Sequence, residues 1–187
     1  LISFKLLWEK TLYTNNYNNL KSDINDFPQI ISIDRHGKYI IIELNQNFIV
    51  FHLRMTGYLY HCDNINIDSK HLRCFFPLSD NSYLAYEDIR KFGGFYYLER
   101  INLIINKTGV DPMKNNFKLN WFSLRIKNRT KMIKSLLLDQ KFICGIGNIY
   151  ADEILWYSEI HPKTPANKIN ERKINYLYKN IKNILSD

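Results

Sequence analysis

Between residues 107 and 117, K-T-G-V-D-P-M-K-N-N-F, the apolar spacing of this chain changes its period. Upstream lie short β-rich runs separated by turn residues: 30–34, 38–44, 48–53, 72–78, 83–86 and 94–98. Arg35-His36-Gly37, Asn45-Gln46-Asn47 and Asp80-Asn81 punctuate them, as turns require. Six such runs predict an antiparallel sandwich or barrel. Downstream, from Asn120, the spacing is helical. Met132, Ile133, Leu136 and Leu137 form one stripe, and Ile149, Ile154, Leu155 and Trp156 a second. A third comprises Ile174, Leu177, Ile181, Ile184 and Leu185. A period of two and a period of 3.6 do not share one layer. The sequence therefore predicts an α+β chain of two domains: an antiparallel β-sandwich over 1–110 and a helical domain over 111–187.

Composition narrows the partners. The 187 residues carry 26 Lys and Arg against 18 Asp and Glu, a net charge of +8. That excess suits a polyanion, whose condensed counterions basic side chains displace, but equally fits a generically basic protein. The heavy use of Asn, Ile and Lys is what an AT-rich genome would give, and carries little functional weight. Three cysteines, Cys62, Cys74 and Cys144, include no C-x-x-C pair. They fit neither a disulfide framework nor a four-cysteine zinc site, and a reducing cytosol is the simpler expectation. No apolar run reaches transmembrane length. Residues 1–8 read as a strand entered partway, with no signal peptide and no initiator Met, so the reading frame is expected to begin upstream.

The stretch 131–156, K-M-I-K-S-L-L-L-D-Q-K-F-I-C-G-I-G-N-I-Y-A-D-E-I-L-W, holds a short apolar helix ending near Asp139, a tight segment with Gly145 and Gly147, and a second helix starting near Asn148. The glycines permit positive φ and close backbone approach. Asn148 suits an N-cap, and free amides at a helix start bind phosphate oxygens. Lys134 is placed to reach the same phosphate. The spacing alone fits an ordinary helical hairpin with a glycine turn still better.

Four segments carry a stronger resemblance: R-H-G-K-Y at 35–39, H-L-R-M-T-G at 52–57, D-I-R-K-F-G at 88–93 and G-I-G-N-I-Y-A-D-E-I-L at 145–155, followed by Ile160-His161-Pro162. In this order they resemble the formamidopyrimidine-DNA glycosylase family, the last being its helix-two-turn-helix signature. The match runs from Ile30 to the end of the chain. The resemblance implies a base-excision repair enzyme that removes oxidised purines, formamidopyrimidines and 8-oxoguanine, from duplex DNA and cleaves the strand by elimination. It would be a monomer of the bacterial cytosol and nucleoid, with double-stranded DNA as partner and no membrane. Two alternatives stand beside it: an endonuclease VIII-like glycosylase for oxidised pyrimidines, and a module that grips damaged DNA without catalysis. The endonuclease VIII-like branch usually departs from the H-L-R-M-T-G and R-K-F-G patterns present here.

The resemblance also assigns residues. Lys38 matches a lysine of the strand-cleavage chemistry; read alone it is a surface lysine. Met55, Arg90 and Phe92 match the three side chains that fill the gap left by an everted base. Read alone, Met55 and Phe92 are core residues. His71 and Arg90 match DNA contacts; Arg129, Lys134 and Asn148 match positions on or near the phosphate backbone, with Lys91 a further phosphate contact. Glu153 matches a carboxylate that supports the active pocket, and Tyr150 is either structural or phosphate-facing. The family's N-terminal proline nucleophile and its adjoining glutamate have no counterpart here. About two dozen residues, a helix and linker, are expected upstream of Leu1. The family's four-cysteine zinc finger, its arginine and the loop around the everted base would lie beyond Asp187. The 187 residues by themselves are therefore expected to bind no zinc and to be inactive, with zinc held by the intact parent.

Overall fold

The computed structural model describes residues 4–13 and 28–186. They form two compact units, divided between Leu103 and Ile104.

The first unit is a sandwich of two four-stranded sheets, all neighbours antiparallel. One sheet has the order β1 (Lys5–Leu6), β6 (Leu72–Pro77), β7 (Tyr83–Asp88), β5 (Gly57–Cys62). The other has the order β2 (Ile30–His36), β3 (Tyr39–Leu44), β4 (Phe48–His52), β8 (Gly94–Leu98). The turns anticipated from the sequence close the hairpins. Gly37, at φ 57°, opens the two-residue turn between β2 and β3, where glycine adopts a left-handed φ without steric cost. The Leu44 amide donates to Asn47 O at 2.8 Å between β3 and β4. Asn81 takes φ 67° between β6 and β7, while Asp80 Oδ1 accepts from the Ser82 amide at 3.0 Å. Strand β5 lay outside the expected runs.

The inward faces meet in an aromatic core. Phe51 is fully buried, with ring centroids of Phe95, Tyr86 and Phe76 at 5.1, 5.3 and 6.3 Å. Val50 and Phe51 are consecutive and both buried, so the middle of β4 is covered on both faces.

The second unit comprises α1 (Asn102–Ile105), which begins just before the division, α2 (Leu119–Lys127), α3 (Ile133–Leu137), α4 (Asn148–Tyr157) and α5 (Glu171–Ser186). The 107–117 segment, where the period changes, packs with this unit. The Gly109 amide donates to Gln140 O at 2.7 Å and the Cys144 amide to Val110 O at 3.1 Å. A Cβ on Gly109 would strike the Phe142–Ile143 backbone. The expected stripe on α5 holds, with Ile174, Leu177 and Ile181 buried. The stripe expected on α4 is rotated. Ile149 and Trp156 are 74% and 81% exposed, and Ala151, Ile154 and Leu155 face the core instead. Ser158 completes that buried face, with Asn180 Nδ2 of α5 donating to its Oγ at 3.0 Å. Met132 is likewise half exposed rather than part of the α3 stripe.

No helix among the described residues is long and apolar enough to cross a membrane.

Phe51 is the centre of the sandwich core. Phe51→Ala should therefore cost about 3–5 kcal/mol in chemical denaturation, and a loss below about 1 kcal/mol would show that the rings do not pack as described.

Candidate nucleic-acid interface

At one end of the sandwich, two loops bring together residues far apart in sequence. The loop after β4 holds Arg54, Met55 and Thr56; the loop between β7 and β8 holds Ile89, Arg90, Lys91 and Phe92. Asp88, with no exposed surface, joins them. Its Oδ1 accepts from Thr56 Oγ1 at 2.5 Å and from the Arg90 amide at 3.1 Å, and its Oδ2 accepts from the Gly93 amide at 2.8 Å. Arg73 Nε donates to the Asp88 carbonyl at 2.8 Å from a bulge in β6. Burial pushes the Asp88 carboxyl up, but hydrogen bonds from Thr56, Gly93, Arg90 and Phe92 outweigh it and hold the pKa below the usual aspartate value. Gly93 is required by close approach: a Cβ there would overlap the Tyr86 hydroxyl and lie 2.8 Å from Leu53 O.

The loops present Met55, Arg90 and Phe92 as a preassembled trio. The Arg90 guanidinium lies 4.8 Å from the Phe92 ring centroid, and its Nη1 lies 3.3 Å from Met55 Sδ. Met55 is 69% exposed and Phe92 54%, which excludes the core reading of both. Large apolar side chains held outward by a rigid loop mark a binding surface rather than a folding requirement. Tyr13 Oη donates to Phe92 O at 2.8 Å and steadies the trio from behind. Lys91, with φ 58°, carries its ammonium 4.1 Å from the Trp8 ring centroid. His71, half buried at the start of β6, accepts at its carbonyl the Asp88 amide at 2.9 Å.

Lys38 occupies the second position of the β2–β3 turn and is exposed. Partial desolvation and the Arg54 guanidinium lower its pKa from the ordinary lysine value. His52, which has no separate role in the sequence reading, lies beside Lys38 and Arg54. Burial, then Arg54 and Lys38, draw its pKa down to about 4, so the ring is neutral at pH 7. Its Nδ1 accepts the Arg54 amide at 3.1 Å, which leaves the proton of the neutral ring on Nε2. Tyr39 meets the ring edge-on, with centroids 4.8 Å apart.

The second unit carries its own polar group at the start of α4. Gly147, in extended backbone, is the N-cap, and no side chain caps the helix. Asn148 is thus the first helical residue and not the cap, and only Gly145 of the two glycines adopts a positive φ, 100°. Asn148, Ile149 and Tyr150 are exposed, and no side chain caps the first-turn amides. Gln140 sets this geometry. Its Nε2 donates to Leu138 O and Ile146 O at 3.0 and 2.8 Å, and its Oε1 accepts the Gly145 amide at 3.0 Å. Lys134 lies beside α4 with its ammonium on Asp152 Oδ1 at 2.7 Å. Arg129, after α2, and Glu153, on α4, are exposed.

The three cysteines do not fit a four-thiolate zinc site. Cys74 is sealed among the core rings of the sandwich, where burial pushes its thiol up, far from thiolate. Cys144 is buried in the helical unit, and Cys62 is half buried on β5.

Family comparison agrees along nearly the whole chain. Residues 3–95 match the formamidopyrimidine-DNA glycosylase N-terminal domain, and residues 108–187 the formamidopyrimidine-DNA glycosylase H2TH domain. A formamidopyrimidine-DNA glycosylase of Protochlamydia amoebophila is 39% identical over 186 residues, covering 99% of this chain and 67% of the relative. One of Streptococcus thermophilus is 43% identical over 157 residues, 80% of this chain and 57% of the relative. The chain thus spans roughly two thirds or less of the curated relatives it matches. The Lactococcus lactis Fpg complexed with abasic-site DNA superposes with a TM-score of 0.90 at 30% identity, covering all of this chain and 69% of that one. Its complex with FAPY-dG-containing DNA gives the same score, with 71% of that chain covered. By two domain matches and these relatives, the chain belongs to the formamidopyrimidine-DNA glycosylase family.

Proposed function

We propose that the full-length protein is a base-excision DNA glycosylase that removes oxidised purines from duplex DNA and then cleaves the strand as an abasic-site lyase. The observation that carries this reading is the exposed, preassembled trio of Met55, Arg90 and Phe92. An enzyme acting on a glycosidic bond takes its nucleotide out of the stack, which costs a few kcal/mol. Met55 and Phe92 replace the lost stacking contacts, and Arg90 donates hydrogen bonds to the orphaned partner base. Solved Lactococcus lactis relatives bound to abasic-site and FAPY-dG DNA support the same substrate class.

The attacking group is assigned by the family resemblance to an N-terminal proline of the full reading frame. Its amine displaces the base at C1′ and forms a Schiff base, whose elimination expels the 3′ phosphate. Lys38 is the proton-relaying ammonium of that elimination, a role its lowered pKa suits. Lys91, His71 and Arg129 contact the backbone, and Glu153 supports the pocket. Lys134 and the first-turn amides at Asn148 grip phosphate whatever the lesion. Zinc, implied for the family, would be held by residues other than the three cysteines here, and nothing in these steps passes through it. The site of action is the bacterial cytosol at the nucleoid.

Borohydride trapping of the full-length protein on an 8-oxoguanine duplex should give a covalent protein–DNA adduct, and Lys38→Ala should slow strand cleavage by about 10²-fold. Absence of any adduct would refute the lyase assignment.

Met55→Ala or Phe92→Ala should slow excision from a duplex far more than from mismatched or single-stranded DNA, where less stacking is broken. Equal losses on all three substrates would refute the void-filling role.

A further inference from the structure

Lys134 is already partnered in the free protein. Its ammonium lies 2.7 Å from Oδ1 and 2.9 Å from Oδ2 of Asp152, linking α3 to α4. The two side chains are 30% and 59% exposed, so water reaches the pair and it opens at small cost. Asp152 is the fifth residue of α4, close to the uncapped N-terminus of that helix. It lies just beyond the first turn, where the helix field that attracts an anion has largely fallen off, so its hold on Lys134 is the contact that matters. A carboxylate in this position holds, from inside the protein, the ammonium that an incoming phosphate would use, and leaves the first-turn amides of α4 without a side-chain cap. Among the described residues, Lys127 pairs with Glu171 and Lys131 with Asp139, and neither carboxylate lies on α4.

We propose that Asp152 is an internal competitor for the phosphate gripped by Lys134, and that it holds down the affinity of the protein for DNA of any sequence. The inference rests on the phosphate-gripping reading of Lys134. Each phosphate contact strengthens binding to undamaged as much as to damaged DNA. A repair enzyme that must leave undamaged sites quickly gains from weakening one such contact. With Asp152 present, Lys134 exchanges one anionic partner for another when DNA binds, and the net gain is small. Without the carboxylate charge, Lys134 meets the phosphate unpaired and the full contact is realised. Asp152 acts through Lys134 and is a positioning residue, outside the chemistry of base removal.

A double-mutant cycle on the full-length protein tests this, with wild type, Asp152→Asn, Lys134→Ala and the double variant. Each is titrated against an undamaged duplex by fluorescence anisotropy across a series of salt concentrations, with circular dichroism and thermal melting to establish folding. Asp152 is exposed, so the isosteric Asp152→Asn should fold, and Asp152→Ser serves as a second neutral variant. Asp152→Asn should tighten binding about three- to tenfold at 0.1 M salt and steepen the salt dependence by up to about one unit. Most of that gain should vanish when Lys134 is Ala. An equal gain with and without Lys134 would mean plain repulsion between Asp152 and DNA, and would overturn the proposal. Unchanged or weaker binding by Asp152→Asn would also overturn it, by showing that the carboxylate does not compete. If Lys134→Ala changed neither affinity nor salt slope in either background, the phosphate reading of Lys134 would itself fall, an outcome distinct from the other two.

Discussion

Asp88 carries a negative charge at a position with no exposed surface, and the loops that form the candidate interface are arranged around that charge. Its two oxygens accept hydrogen bonds from the Thr56 hydroxyl on one loop and from the Arg90 and Gly93 amides on the other. Hydrogen bonds to a buried ionised acceptor are worth about twice those between neutral groups. Two irregular loops are thereby fixed at the end of a rigid sandwich. The left-handed backbone at Arg54 and Lys91, strained for residues with side chains, is held in place by the same bonds. Once the loops are set, Met55, Arg90 and Phe92 have little choice of position. They meet one another in the free protein, so a surface that used them would find them already ordered.

The helical unit solves a similar problem with a neutral group. Gln140 ties Leu138, Gly145 and Ile146 through one side-chain amide, and so fixes the tight segment from which α4 begins. The start of α4 has no side-chain cap, and its first residues are exposed. An uncapped, exposed helix start costs stability unless water or a ligand satisfies it. Lys134 of α3 and Asp152 of α4 form an ion pair, so the local charge is balanced in the free protein.

Much of this was legible in the residues. The hairpin turns at Gly37, 45–47 and Asp80-Asn81 were read from turn chemistry that depends on neighbours alone, and the α5 stripe from its strong periodicity. The four motifs named the family and located the exposed trio. What could not be read depends on distant partners or on small residues. Asp88 opens the D-I-R-K-F-G motif, but its partner Thr56 is 32 positions away. The neutral state of His52 depends on the fold bringing Lys38 and Arg54 beside it. The α4 stripe was misplaced because its buried face includes Ala151 and Ser158, which hydrophobic spacing does not count, while Ile149 and Trp156 point outward. Strand β5 escaped because none of its six residues is fully buried and its turn signal merges with the preceding motif.

The Asp88 carboxylate presets the side chains proposed to enter the DNA stack. Stopped-flow fluorescence of 2-aminopurine placed beside an oxidised guanine reports the unstacking step directly. Asp88→Asn keeps the size of the side chain but removes its charge and half of its acceptor capacity. The folded variant should bind an undamaged duplex nearly as the wild type does, yet unstack the neighbouring base about tenfold more slowly, a barrier increase of about 1.4 kcal/mol. Wild-type unstacking by a folded Asp88→Asn protein would show that the Asp88 charge does not preset these side chains.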